Sequence, residues 1–120
     1  MANILIIDDS PTYLEALSGM LHKHGHYCTM EQSGEAGIDA ALKLKPDLII
    51  MDVIMPKMSG FQATRQLAKN PQTAHIPIVI ISTKGQESDK QWGLRQGAKD
   101  YLVKEVSEEE LISCINKILS

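Results

Sequence analysis

Five polar side chains stand directly after short apolar runs in this sequence. Asp8 and Asp9 follow Ile4–Ile7, Asp52 follows Leu48–Met51, Ser82 follows Ile78–Ile81, and Lys104 follows Tyr101–Val103. If the runs are neighbouring strands, three carboxylates, a hydroxyl and an amine meet at one end of a sheet. Two carboxylates about 5 Å apart repel by roughly 3 kcal/mol at an effective dielectric of about 20. Three of them need a proton or a cation. Hard carboxylate oxygens with room for water suit Mg²⁺, which binds through one or two carboxylates plus the phosphate oxygens of a substrate. With the cation in place, a free oxygen of Asp52 can attack a phosphoryl group, the aspartyl phosphate form of carboxylate nucleophilic chemistry. Lys104 would neutralise part of the transferred charge, and Ser82 would donate to a phosphoryl oxygen. Each residue alone reads as an ordinary loop side chain. The constellation is far more specific than its members.

The elements that must position these residues are legible in outline. Ile4–Ile7, Leu48–Met51 and Ile78–Ile81 carry no polar alternation, the pattern of strands covered on both faces in a parallel sheet. His26–Met30 and Asp100–Val103 are weaker runs and read as edge strands. Helical patterns lie between the runs. The first opens at Ser10-Pro11, a cap followed by proline at the first helical position, carries Leu14, Leu17 and Leu21 as its stripe, and ends at Gly25. The second follows Ser33-Gly34 and reaches about Lys45. The third covers roughly Gly60–Lys69 and the fourth Gln86–Gln96, before Gly97. The last starts at Ser107, where Glu110 three residues on completes a capping box. Five β units thus alternate with five α units. Right-handed crossovers then place helices on both faces of a parallel sheet, with ligands at the carboxyl ends of the strands.

Composition narrows the class further. The 120 residues fit one domain spanning 1–120, with 43% hydrophobic and 22% charged residues. A net charge of −3 argues against direct nucleic-acid binding. Two cysteines, Cys28 and Cys114, are too few for a disulfide scaffold and suit a reducing cytoplasm. No apolar run approaches a membrane span, so no membrane insertion is expected, and the start shows no signal peptide.

The pieces "IDDS", "DVIMPKMSG", "ST" and "YLVK" resemble the receiver domains of two-component response regulators, and the resemblance runs from about residue 3 to 119. It implies a single CheY-like, flavodoxin-like (βα)5 domain with sheet order 2-1-3-4-5. It also implies that Asp52 is the phosphoacceptor, that Asp9 binds Mg²⁺ directly with Asp8 acting largely through water, and that the backbone carbonyl of Ile54 supplies a third protein oxygen. Ser82 matches the switch hydroxyl, Lys104 the family lysine, and Tyr101 the aromatic that repacks when the hydroxyl moves. The implied kinase is a sensor histidine kinase of CheA-like type. With no output domain following, the chain resembles a stand-alone regulator that acts by binding partners. More narrowly, "GFQATRQL" and "DKQWGLRQGAKDYL" are similar to the H-type regulator of the chemosensory system behind type IV pili, twitching motility and chemotaxis. That implies an output partner at the pilus motor.

Two positions depart from the family pattern. Lys104 is followed by Glu105 rather than the proline whose bond is commonly cis. A cis bond costs about 2.5–4 kcal/mol without proline, so a trans Lys104–Glu105 bond is expected, with the amine still aimed at Asp52. Ile54 and Lys84 lie two residues after Asp52 and Ser82, where the family tunes acyl phosphate lifetime. Ile54 cannot hydrogen-bond an attacking water, which predicts slow self-dephosphorylation.

His22, His24 and His26 match no zinc spacing. Cys28 and Cys114 read as small core residues. Trp92 is either a partner anchor on the output face or core, and Met55 and Met58 either cover the site, contact a kinase or fill gaps. An aspartate-nucleophile phosphatase would need a second acid where Ile54 stands. A flavin carrier on this fold would need a hydroxyl- and glycine-rich loop where "DDSP" is acidic. A docking module that no longer accepts phosphate is opposed by the intact acids and lysine.

Overall fold

The unbroken apolar runs become strands because helices cover both of their faces. In the computed structural model, which describes residues 1–120, β1 (Asn3–Ile7), β2 (Tyr27–Glu31), β3 (Leu48–Met51), β4 (Ile78–Ser82) and β5 (Asp100–Val103) alternate with five helices. These are α1 (Pro11–Lys23), α2 (Gly34–Leu44), α3 (Gly60–Lys69), α4 (Glu87–Gln96) and α5 (Glu108–Leu119). The sheet order is β2-β1-β3-β4-β5, and every neighbouring pair is parallel. The expected α/β (βα)5 architecture and strand order are both present, with the two weaker runs at the edges.

Strand side chains alternate between two cores, as a period of two requires. Ile4, Ile6, Leu48, Ile50, Val79 and Ile81 pack with Leu14, Leu17 and Leu21 of α1 and Leu111, Cys114 and Ile115 of α5. Leu5, Ile7, Ile49, Met51, Ile78 and Ile80 pack on the other face with Ala40 and Ala41 of α2 and Ala63 and Leu67 of α3. Cys114 is buried and Cys28 half-buried against the first of these cores.

Helix starts follow the sequence signals. Ser10, Ser33, Ser59 and Ser107 each cap a helix by accepting a backbone N–H three residues on. The full reciprocal box forms at Ser59 and Gln62. At Ser107 only half of the expected box forms: Glu110 N–H donates to Ser107 Oγ. Gly25 takes the left-handed conformation just beyond α1, at φ +84°. β2 begins one residue later than expected because its ladder starts at the Asn3–Tyr27 pair. His26 instead turns inward, and its Nδ1 accepts the Ala2 N–H at 3.2 Å.

Candidate functional site

The register of the two central strands brings the acids together. Ile7 pairs with Met51, so Asp8 and Asp52 leave the sheet side by side, and Asp52 N–H donates to Ile7 carbonyl at 2.9 Å. One carboxylate oxygen from each of Asp8, Asp9 and Asp52 lies within 4.8 Å of the others. Asp8 and Asp52 are buried and Asp9 is exposed. Burial, and then the neighbouring Asp8 charge, push the Asp52 carboxyl up to about 6, against the opposing pull of Lys104. Hard, crowded oxygens of this kind fit a small divalent cation.

Lys104 answers the negative charge from the far side of β4. Its Nζ stands 2.9 Å from Asp8 Oδ2 and 3.5 Å from Asp52 Oδ1, with little of the side chain exposed. Burial works against the ammonium, but the hydrogen bond to Asp8 and the Asp52 charge outweigh it and hold the amine above its usual range. The amine therefore points where the sequence placed it. The peptide bond beyond it does not follow expectation: Lys104–Glu105 is cis. The expectation weighed only the local preference for trans. Tertiary contacts flank this bond: Lys104 N–H donates to Ser82 carbonyl at 2.9 Å, and Val106 N–H reaches Tyr13 Oη at 3.5 Å.

The turn after Asp52 depends on Gly60. Its N–H donates to Val53 carbonyl at 2.9 Å, and a Cβ there would run into the backbone carbonyl of Asp52. Only glycine lets α3 start this close to the nucleophile candidate. Within the loop Lys57 takes a left-handed φ of 70°. Ile54 points outward and is 56% exposed, whereas Met55 is buried in the core under the loop. Met58 is half-buried against the same core. Both methionines fill gaps, and neither covers the site.

The switch candidates lie on the β4–β5 side. Ser82 is fully buried, and its Oγ accepts the Lys84 N–H at 3.1 Å. The buried Tyr101 turns inward, and its hydroxyl donates to the Lys84 carbonyl at 2.6 Å. Both residues thus hold the backbone of the loop after β4. Gly93 lets α4 approach, since a Cβ there would meet Tyr101 Cδ2 at 2.8 Å. Trp92 is 46% exposed, so it is not a core residue, and it stands outside the acid cluster.

Sequence reasoning missed Tyr13. Its ring faces the Lys104 ammonium at 4.2 Å from the centroid. The cap at Ser10 was the available signal. It fixes Tyr13 in the first turn of α1.

A family model described as the response regulator receiver domain matches residues 4–116. Protein PilH of Pseudomonas aeruginosa is 52% identical over 120 residues, covering 100% of this chain and 99% of PilH. The DNA-binding dual master transcriptional regulator RpaA of Synechocystis is 36% identical over 99% of this chain, which spans 49% of RpaA. Among solved structures, the chemotaxis protein CheY4 of Vibrio cholerae superposes with a TM-score of 0.93 at 31% identity, over 99% of both chains. The receiver domain of the sensor histidine kinase PA1611 from Pseudomonas aeruginosa has a magnesium ion coordinated in its active site cleft. It superposes with a TM-score of 0.91 at 25% identity, over 98% of this chain and 97% of that one. The chain belongs to the response regulator receiver domain family.

Proposed function

We propose that residues 1–120 act as one receiver switch in which Asp52 accepts a phosphoryl group from a histidine kinase in a Mg²⁺-dependent step. The observation that carries this reading is the meeting of Asp8, Asp9 and Asp52 oxygens within 4.8 Å, with Lys104 reaching both Asp8 and Asp52. An Asp52 oxygen attacks phosphorus. The phosphorus–nitrogen bond of a donor phosphohistidine breaks, and its electron pair stays on the imidazole nitrogen. Mg²⁺ supplies charge neutralisation when bound. Asp9, whose carboxylate is exposed, would hold it directly, together with Asp52 and the Ile54 carbonyl. Both Asp8 oxygens are engaged, by Ser10 N–H at 2.9 Å and by Lys104, which favours a water-mediated role for Asp8.

Phosphorylation replaces the single carboxylate charge of Asp52 with a group carrying roughly −1.5 to −2 charges. Ser82 and Lys104 turn toward the new oxygens, and the Ser82–Lys84–Tyr101 contacts pass the change to a face carrying Trp92. The chain catalyses only its own phosphorylation and dephosphorylation, in the cytoplasm. The 52% identity to PilH supports a CheA-like kinase and an output partner at a type IV pilus motor, in twitching motility or chemotaxis. The test is incubation with a small phosphodonor with and without Mg²⁺. Labelling of the wild type that needs Mg²⁺, and its absence in Asp52→Ala, supports the reading. Equal labelling of Asp52→Ala contradicts it. A pull-down with a stable phosphoryl mimic on Asp52 then identifies the partner.

A further inference from the structure

Lysine is a poor fixed charge. Its four-carbon stem carries about 2 kcal/mol of rotamer entropy, and its ammonium is strongly hydrated. In this structure the Lys104 amine is nevertheless held by two carboxylates on one side and an aromatic ring on another. The ring belongs to a closed circuit of contacts. Ser10 N–H donates to Asp8 Oδ1 at 2.9 Å. Tyr13 N–H donates to Ser10 Oγ at 3.2 Å. The Tyr13 ring faces Lys104 Nζ at 4.2 Å, and Lys104 Nζ returns to Asp8 Oδ2 at 2.9 Å. The helix cap that starts α1 therefore also sets the wall behind the amine.

We infer that Tyr13 is a positioning residue for phosphoryl transfer, whose ring face keeps the Lys104 ammonium aimed at the Asp52 carboxylate. The inference deepens the phosphoacceptor reading and rests on it. The π-face attracts the cation and shields it from water on that side. When the phosphoryl group arrives, the amine needs only a short movement from Asp8 toward the new oxygens. A ring that merely filled space would serve as well as an aliphatic side chain of similar size. The ring hydroxyl has a separate task, since it takes the Val106 N–H at 3.5 Å. Tyr13→Phe keeps the ring and loses that contact, whereas Tyr13→Leu loses both.

Two readouts test this. The first is the proton signal of the Lys104 ε-methylene in metal-free protein, assigned with Lys104→Arg. A ring at this distance shifts it clearly upfield of the other lysines in the wild type and in Tyr13→Phe, and the shift vanishes in Tyr13→Leu. The second is the initial rate of Asp52 labelling by a small phosphodonor with Mg²⁺. Tyr13→Leu is expected to slow it about three- to tenfold, the range of one partly buried cation–π contact, with Tyr13→Phe within about twofold of wild type. An unshifted Lys104 signal in the wild type overturns the inference without any variant having to fold. Tyr13→Phe as slow as Tyr13→Leu also overturns it, because the ring would then not be the active part. A wild type that cannot be labelled contradicts the phosphoacceptor reading itself, whereas a labelled wild type with no Lys104 shift contradicts the Tyr13 inference alone.

Discussion

Lys104 Nζ lies 3.5 Å from Asp52 Oδ1, although β4 separates the strands that carry them. The contact makes the two groups mutually dependent. Burial and Asp8 raise the Asp52 carboxyl to about 6 even with Lys104 pulling it down. Lys104→Met should therefore move Asp52 titration above its wild-type value, as read from its side-chain carbon by NMR. The same variant loses a charge-assisted partner worth roughly 1.5–3 kcal/mol, so labelling should slow about ten- to hundredfold. An unmoved titration would show that the amine does not face Asp52 in solution.

The raised Asp52 carboxyl also predicts a pH-dependent stability. The folded metal-free protein holds this proton more tightly than the unfolded chain, whose ordinary value is 3.8, against about 6 when folded. The stabilising contribution is complete below 3.8 and is lost as pH rises through 6. Asp52→Asn should therefore raise metal-free stability by roughly 1–3 kcal/mol at neutral pH and lose that advantage in acid. Denaturant melts at both ends of the window measure it. Mg²⁺ should stabilise the wild type more than the variant.

Gly60 is predicted to be intolerant of any side chain. Gly60→Ala drives a methyl group into the Asp52 backbone carbonyl. The forced shift should cost about 1–3 kcal/mol, as overpacking does, and weaken Mg²⁺ binding with it. Thermal melts with and without Mg²⁺ separate the two effects.

Ile54 is exposed beside the nucleophile candidate, so it is available to attacking water but cannot orient it. Ile54→Asn supplies one hydrogen bond of about 1 kcal/mol and should speed loss of the phosphoryl group roughly fivefold. A decay unchanged from wild type would place control of the lifetime elsewhere.

Much of this arrangement was legible in the sequence because it depends on local rules. Unbroken Ile and Leu runs mark strands buried on both faces. Serine caps mark the starts of the first and last helices, and the acids fall where such strands end. What was not legible depends on contacts between distant residues. The cis bond at Lys104–Glu105 opposed a local preference. Trp92 and Tyr101 differ in burial, and the absence of a side chain at Gly93 is what admits Tyr101 under α4. Tyr13 meets Lys104 only once the first and last strand ends share a rim, so the Ser10 cap places the ring without indicating its partner.

The central claim is that Asp52 becomes an acyl phosphate. Borohydride reduction of the Mg²⁺-dependent labelled protein, followed by peptide mass analysis, reads this directly. The account predicts conversion of Asp52 alone to homoserine, in a reaction that requires both Mg²⁺ and the phosphodonor. Reduction at Asp8 or Asp9 instead, or labelled protein with no reducible aspartate, would contradict it.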